Sequence, residues 1–134
     1  FKHKLKLRKG QELHFELGRS IVAQCGSLIA RVVFVKENRN KKFVILDAGM
    51  TDLIRPALYE AHHVIQNISS RDTASDVYDV VGPICESSDV FARDEKLPVS
   101  KRGDIFAIRS AGAYGETMAS RYNMRQLPKS YFQR

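Results

Sequence analysis

At 134 residues the chain is long enough for one domain with its own core, and its 43% hydrophobic content is that of an ordinary globular protein. No apolar run is long enough to span a membrane as a helix, so a membrane partner is not expected. The formal charge is +7, but Lys2, Lys4, Lys6, Arg8 and Lys9 supply five of those charges within the first ten residues, with few aromatics beside them; this reads as a solvated basic end and not as a nucleic-acid platform.

The chain opens on Phe1 with no leader or capping pattern and is expected to be a piece of a longer protein. Gln11–Phe15 alternates weakly and predicts a short strand, broken by Glu16–Ser20. Ile21–Gly26 fits a helical turn or a continued strand. Cys25 reads as a core residue. Ser27–Val35 is rich in β-branched residues and predicts a strand, Asn38–Asn40 a turn, and Lys42–Asp47 the hairpin partner. Ala48–Asp52 is a turn, after which Thr51 or Asp52 caps a short helix near Leu53–Leu58, limited by Pro56.

His62–Ile68 predicts a third strand, with His62 and His63 as a satisfied structural pair. Residues 69–76 form a polar linker, and Val77–Val81 is a fourth strand. Val90–Lys96 is a weaker segment closed by Pro98, Arg102–Asp104 a turn, and Ile105–Ile108 a fifth strand. Ala111–Gly115 is a loop of small residues. Glu116–Arg125 fits a short helix ended by Pro128, and Tyr131–Phe132 a last strand. Many short strands between turns predict a mainly β fold, an antiparallel Greek-key-like barrel or sandwich with short helices. The two cysteines, Cys25 and Cys85, have no metal-ligand spacing, so no metal is expected; they read as free thiols of a reducing, cytoplasmic compartment.

Four stretches carry chemistry. Gly82-Pro83-Ile84-Cys85-Glu86-Ser87-Ser88-Asp89 is a loop by composition, placing a thiol beside a carboxylate. Read alone, Cys85 is a small buried hydrophobe. Glu16-Leu17-Gly18-Arg19 is, by itself, a commonplace turn. In Asp47-Ala48-Gly49-Met50-Thr51-Asp52-Leu53-Ile54-Arg55-Pro56-Ala57-Leu58-Tyr59, Arg55 and Tyr59 stand four apart and share one face of a short helix. Ala111-Gly112-Ala113-Tyr114-Gly115 suits a plain turn as well as a binding loop.

In this order the four stretches resemble the motifs of diaminopimelate decarboxylases, within the pyridoxal-phosphate enzymes that include alanine racemases and ornithine decarboxylases. Leu17 departs from the family's usual Pro, which costs a fixed φ but no chemical group. The resemblance runs from about Glu12 onward and covers only the C-terminal part of the family. It implies that residues 1–26 end a (β/α)8 barrel and cross over from it, and that residues 27–134 are the C-terminal β-barrel domain. The barrel, with the lysine that bonds the cofactor, lies outside this chain, which is therefore expected to be inactive alone.

The resemblance also implies roles. Cys85 is the proton donor. Glu16, Gly18, Arg19 and Tyr114 hold pyridoxal 5'-phosphate. Arg19, Arg55, Tyr59, Glu86 and Tyr114 bind meso-diaminopimelate, which is decarboxylated to L-lysine. Arg19 and Arg55 suit the distal carboxylate and Glu86 the distal ammonium. The family's Cys-Glu loop enters the partner subunit's site, which implies a homodimer with shared active sites. Two other readings stand beside it: a decarboxylase of the same family acting on another basic amino acid, and a non-catalytic β-barrel module binding an anionic ligand.

Overall fold

A computed structural model of the chain describes residues 4–132. Six strands form one sheet: β1 (Ser27–Glu37), β2 (Lys42–Leu46), β3 (Ile65–Asn67), β4 (Ser75–Val81), β5 (Val90–Pro98) and β6 (Ile105–Arg109), in the spatial order β3-β6-β1-β2-β4-β5. The expected mainly β, barrel-like fold holds. All pairings are antiparallel except β2 with β4, which run parallel at Phe43–Ile45 against Asp79–Val81. The connection from β2 to β4 is long enough to return the chain in the same direction, a possibility that strand spacing alone did not reveal.

Strand β1 organises the sheet because it is long enough to serve two partners. Ser27–Arg31 pairs with β6 and Val32–Glu37 pairs with β2, with a bulge at Val33 where the register shifts. A bulge bends its strand, and here it turns the sheet toward closure. At the far edges, Asn67 at the end of β3 reaches Ser100 just beyond β5, with Nδ2 donating to Oγ at 3.1 Å and to Asp104 Oδ2 at 2.8 Å. Asn67, Ser100 and Asp104 are all buried, so this polar seam is internally satisfied as buried polar groups must be.

Alternate residues of the strands point inward. Ala30, Val32, Val44, Leu46, Ile65, Tyr78, Val80, Phe91, Leu97, Phe106 and Ile108 make one core with Ala48 and Leu53. Each fully buried Leu, Ile, Phe or Val contributes about 1.5–3 kcal/mol of hydrophobic stabilisation. Asp79 is the polar exception on β4. Its buried carboxylate accepts from Lys41 Nζ at 2.8 Å and from the Asp94 N–H at 2.9 Å.

Helix α1 (Arg55–Tyr59) starts at Ile54 without a side-chain cap, and Pro56 sits in its first turn, where the missing N–H does no harm. Neither Thr51 nor Asp52 caps it. Asp52 Oδ2 instead accepts from the Gly49 N–H at 2.8 Å, holding the preceding turn. Glu60, in the left-handed region at φ 54°, ends the helix.

The loop between β4 and β5 is built on another buried carboxylate. Asp89 accepts from the Met50 N–H and the Ile84 N–H, each at 2.6 Å, and its own carbonyl accepts from the Gly82 N–H at 3.0 Å. Gly82 is required there: a Cβ would lie 2.3 Å from Asp89 Oδ2 and 2.5 Å from Gly49 Cα.

Several expected elements differ. Gln11–Phe15 is irregular and exposed. Residues 19–25 form two short 3-10 turns, Arg19–Ile21 and Ala23–Cys25. The third strand is confined to Ile65–Asn67, while β4 begins in the expected linker, at Ser75. Glu116–Arg125 is not a helix. It forms 3-10 turns at Glu116–Met118 and Tyr122–Met124, broken where Asn123 and Met124 both adopt φ 58°. Tyr131 and Phe132 are exposed and unpaired by any strand.

Two stability predictions follow from the buried carboxylates. Asp89→Asn turns an NH2 group against one of the two N–H donors and should lower stability by about 1–3 kcal/mol, read from the urea midpoint. At Asp79, burial pushes the carboxyl up, but the Lys41 hydrogen bond, the Asp94 N–H and the charges of Lys41 and Arg93 outweigh it and leave it below the ordinary 3.8. A depressed carboxyl stabilises the fold fully above its unfolded-state pKa, and that contribution is lost as pH falls through the folded-state value. Asp79→Asn should therefore be less stable than the parent at neutral pH, with the gap closing as pH falls below 3.8. A gap independent of pH would contradict it.

Candidate functional site

The Asp47–Tyr59 block runs between two clefts. On one side lies an open cleft of about 690 Å³ lined by residues that include Arg19, Arg55, Tyr59, His63 and Ser110. Arg55 opens helix α1, is only 7% exposed, and its guanidinium lies 5.4 Å from the centroid of the Tyr59 ring. Facing the ring of a residue four positions on is the arrangement that helical spacing provides. Among the described residues no carboxylate lies within ion-pair distance of Arg55.

Arg19 reaches this cleft from the first 3-10 turn. That segment is fixed by the loop after β6: the Ala111 N–H donates to Gly26 O at 3.0 Å and the Gly112 N–H to Ala23 O at 2.9 Å. The two backbones touch, because a Cβ on Gly26 would stand 2.7 Å from Gly112 Cα. The Glu16-Leu17-Gly18-Arg19 stretch and the loop bearing Tyr114 are thereby tied together. Tyr114 adopts φ 60°, is half exposed, and follows Ser110 of the cleft wall by four residues.

His62 and His63 do not form a structural pair. His62 is exposed, whereas His63 is buried and its Nδ1–H donates to Arg109 O at 2.9 Å. Its other ring nitrogen, Nε2, is buried and has no hydrogen-bond partner among the described residues. Cys25 is exposed and not in the core, with its Sγ 2.9 Å from Val22 O. The close approach of Gly112, where a Cβ would meet Cys25 Sγ at 2.8 Å, explains why the thiol sits at this edge.

The second cleft, of about 180 Å³, is lined by Met50, Thr51, Ile54, Glu86, Ser88, Ser120 and Tyr122. Here the loop built on Asp89 presents its chemistry outward. Cys85 is exposed, which overturns its reading as a buried hydrophobe, and so is Glu86. Glu86 Oε1 accepts from the Ser87 N–H at 2.9 Å, and Oε2 lies 3.5 Å from the Tyr122 hydroxyl. Burial pushes the Asp89 carboxyl itself above 3.8, against the opposing pull of its two N–H donors and of Arg125.

The structure thus brings Arg19, Arg55 and Tyr59 to one cleft and sets Glu86 on another, with Cys85 exposed beside Glu86 on the same loop. His63, Ser110 and Tyr122 were not expected at either. His63 stood out as an ionisable residue in a strand-like run, but nothing in the sequence signalled that Arg109 would turn its ring. For a phosphorylated pyridine cofactor the chain offers one edge of a site. Gly18 has no atom within 4 Å of where a Cβ would be, so backbone approach is open there, and Glu16 and Arg19 flank it on an exposed stretch. No lysine lines the cleft.

Residues 20–112 match the family described as pyridoxal-dependent decarboxylase, C-terminal sheet domain. Diaminopimelate decarboxylase of Bacteroides thetaiotaomicron is 65% identical over 127 residues, covering 95% of this chain and 33% of that protein. The crystal structure of diaminopimelate decarboxylase from M. jannaschii superposes with a TM-score of 0.80 at 47% identity, over 83% of this chain and 25% of that one. That of the Helicobacter pylori enzyme complexed with L-lysine gives 0.75 at 53% identity, over 81% of this chain and 26% of that one. The chain therefore spans between a quarter and a third of these proteins. It belongs to the pyridoxal-dependent decarboxylase family, as its C-terminal sheet domain.

Proposed function

We propose that the chain is the C-terminal part of a pyridoxal-phosphate-dependent decarboxylase that converts meso-diaminopimelate to L-lysine in the cytoplasm, acting as a homodimer with shared active sites. The observation that carries this reading is Arg55. Arg55 is largely packed into the protein, has no carboxylate partner among the described residues, and is left to present its charge to the cleft it lines, where an anion would complete it. The cleft in front of it is open, and Arg19 adds a second cation. A substrate carboxylate is the chemical complement, and an Arg fork suits it in geometry as well as charge.

In this reading Arg19 and Arg55 bind the carboxylate of the distal amino-acid head, and Tyr59, whose ring faces Arg55, lines the same wall. Glu16, Gly18, Arg19 and Tyr114 are the residues of this chain that would hold the cofactor, with the Glu16 carboxylate available to a protonated ring nitrogen. The cofactor, when bound, supplies the electron sink that lets the reacting carboxylate leave. Glu86 takes the distal ammonium. Cys85 Sγ–H gives its proton to the carbon that has lost carbon dioxide, so that a C–H bond replaces the C–C bond.

The separation of Cys85 and Glu86 from the Arg55 cleft supports a division between subunits: one protomer offers the carboxylate-binding wall, its partner the thiol and the ammonium site.

In the full-length enzyme, Cys85→Ala should lower kcat by about 10²–10⁴-fold with little change in KM, because positioned proton transfer acts only in the transition state. Glu86→Gln should mainly raise KM. Mixing Cys85→Ala with a variant of the barrel lysine that bonds the cofactor should restore activity, since one of the two sites then receives both intact residues. Mixed dimers without recovered activity would reject the shared site.

A further inference from the structure

Tyr122 belongs to none of the four motifs, yet it lies across from Glu86. Its hydroxyl is 3.5 Å from Glu86 Oε2, and both residues line the small cleft. The segment that carries Tyr122 is anchored on both sides to the block beneath it. The Ser120 N–H donates to Thr51 O at 2.9 Å. Arg125 donates to Asp47 O at 2.5 Å and lies 4.0 Å from Asp52. Between the anchors, the Tyr122 N–H faces Ser120 Oγ at 3.4 Å, and Asn123 and Met124 are both held at φ 58°, a region that costs non-glycine residues energy. The Glu86 loop rests on the same block, through the Met50 N–H on Asp89. Both partners thus share one base, which brings the Tyr122 hydroxyl within reach of the carboxylate.

We propose that Tyr122 is a positioning residue for Glu86. Its O–H donates to Oε2 while the Ser87 N–H holds Oε1, so the carboxylate is aimed before an ammonium arrives. This rests on the reading of Glu86 as the group that binds the distal ammonium.

The test uses the full-length, cofactor-loaded enzyme, with calorimetric Kd values for L-lysine and for 6-aminohexanoate, which keeps the carboxylate but lacks the α-ammonium. Tyr122→Phe should raise the Kd of L-lysine and the KM of meso-diaminopimelate by about 3- to 10-fold, the worth of one modest hydrogen bond, with kcat within about twofold of the parent. The Kd of 6-aminohexanoate should not move. Tyr122→Phe combined with Glu86→Gln should bind L-lysine no more weakly than Glu86→Gln alone.

If Glu86→Gln weakens L-lysine but Tyr122→Phe does not, or if the two losses add, the positioning role is overturned and the reading of Glu86 stands. If Tyr122→Phe weakens both ligands equally, Tyr122 acts through the fold and the inference fails. If Glu86→Gln itself leaves L-lysine binding unchanged, the reading of Glu86 falls and the inference falls with it.

Discussion

The Asp89 carboxylate is the constraint on which the arrangement of the candidate site depends. It is buried, and it is shared by two N–H donors from opposite sides, Ile84 within its own loop and Met50 in the block after β2. A buried carboxylate can be held only where donors replace lost water, so the two segments must meet at this point and nowhere else. The glycines at 49 and 82 exist at the places where any side chain would collide with it. Because the loop is held by Asp89 through Ile84 and Met50, its outer side chains are not needed to hold it. Cys85 and Glu86 are consequently free to face outward.

The Asp47–Tyr59 block is the second half of the same construction. Its first part supplies Met50 to Asp89 and lines the smaller cleft, and its last part forms the helix that places Arg55 and Tyr59 on the larger one. One rigid segment therefore sets the distance between a cation-lined pocket and a thiol–carboxylate loop that face different ways. Arg125 extends this from outside by clamping the block's carbonyl at Asp47, which brings the C-terminal segment over Glu86. The seam of Asn67, Ser100 and Asp104 performs the corresponding task for the sheet, joining the edges that the bulge in β1 brings around.

The strands were legible because period-two burial leaves a direct trace. Val32, Val44, Leu46 and Val80 are fully buried within runs of β-branched and aliphatic residues, and turn residues mark the ends. What escaped was long-range. The parallel pairing of β2 with β4 depends on where the intervening chain returns, and Glu116–Arg125 has helix-forming composition but is held by its anchors at Thr51 and Asp47 in a shape that helical dihedrals do not allow. The motifs identified the residues of the candidate site, and composition identified its loops. Neither indicated that Arg55 and Glu86 would line different clefts, that His63 would leave one nitrogen unpartnered, or that Tyr122 would stand opposite Glu86.

A buried cation without an anion also bears on selectivity under the proposed function. If Arg55 were paired internally, a ligand with or without a distal carboxylate would meet a neutral wall, and only size would discriminate. Left without a carboxylate partner among the described residues, it would favour a ligand that brings an anion into the cleft over one that displaces water from the charge without replacing it. Sites built around such a group reject the deficient ligand far more strongly than an apolar pocket rejects one missing a methylene. Tyr59 cannot substitute for the anion, because a ring face at 5.4 Å offsets only part of a guanidinium's charge. Under the proposed function, discrimination between substrates with and without a distal carboxylate would therefore rest on Arg55 and Arg19, while Glu86 would meet an ammonium common to both.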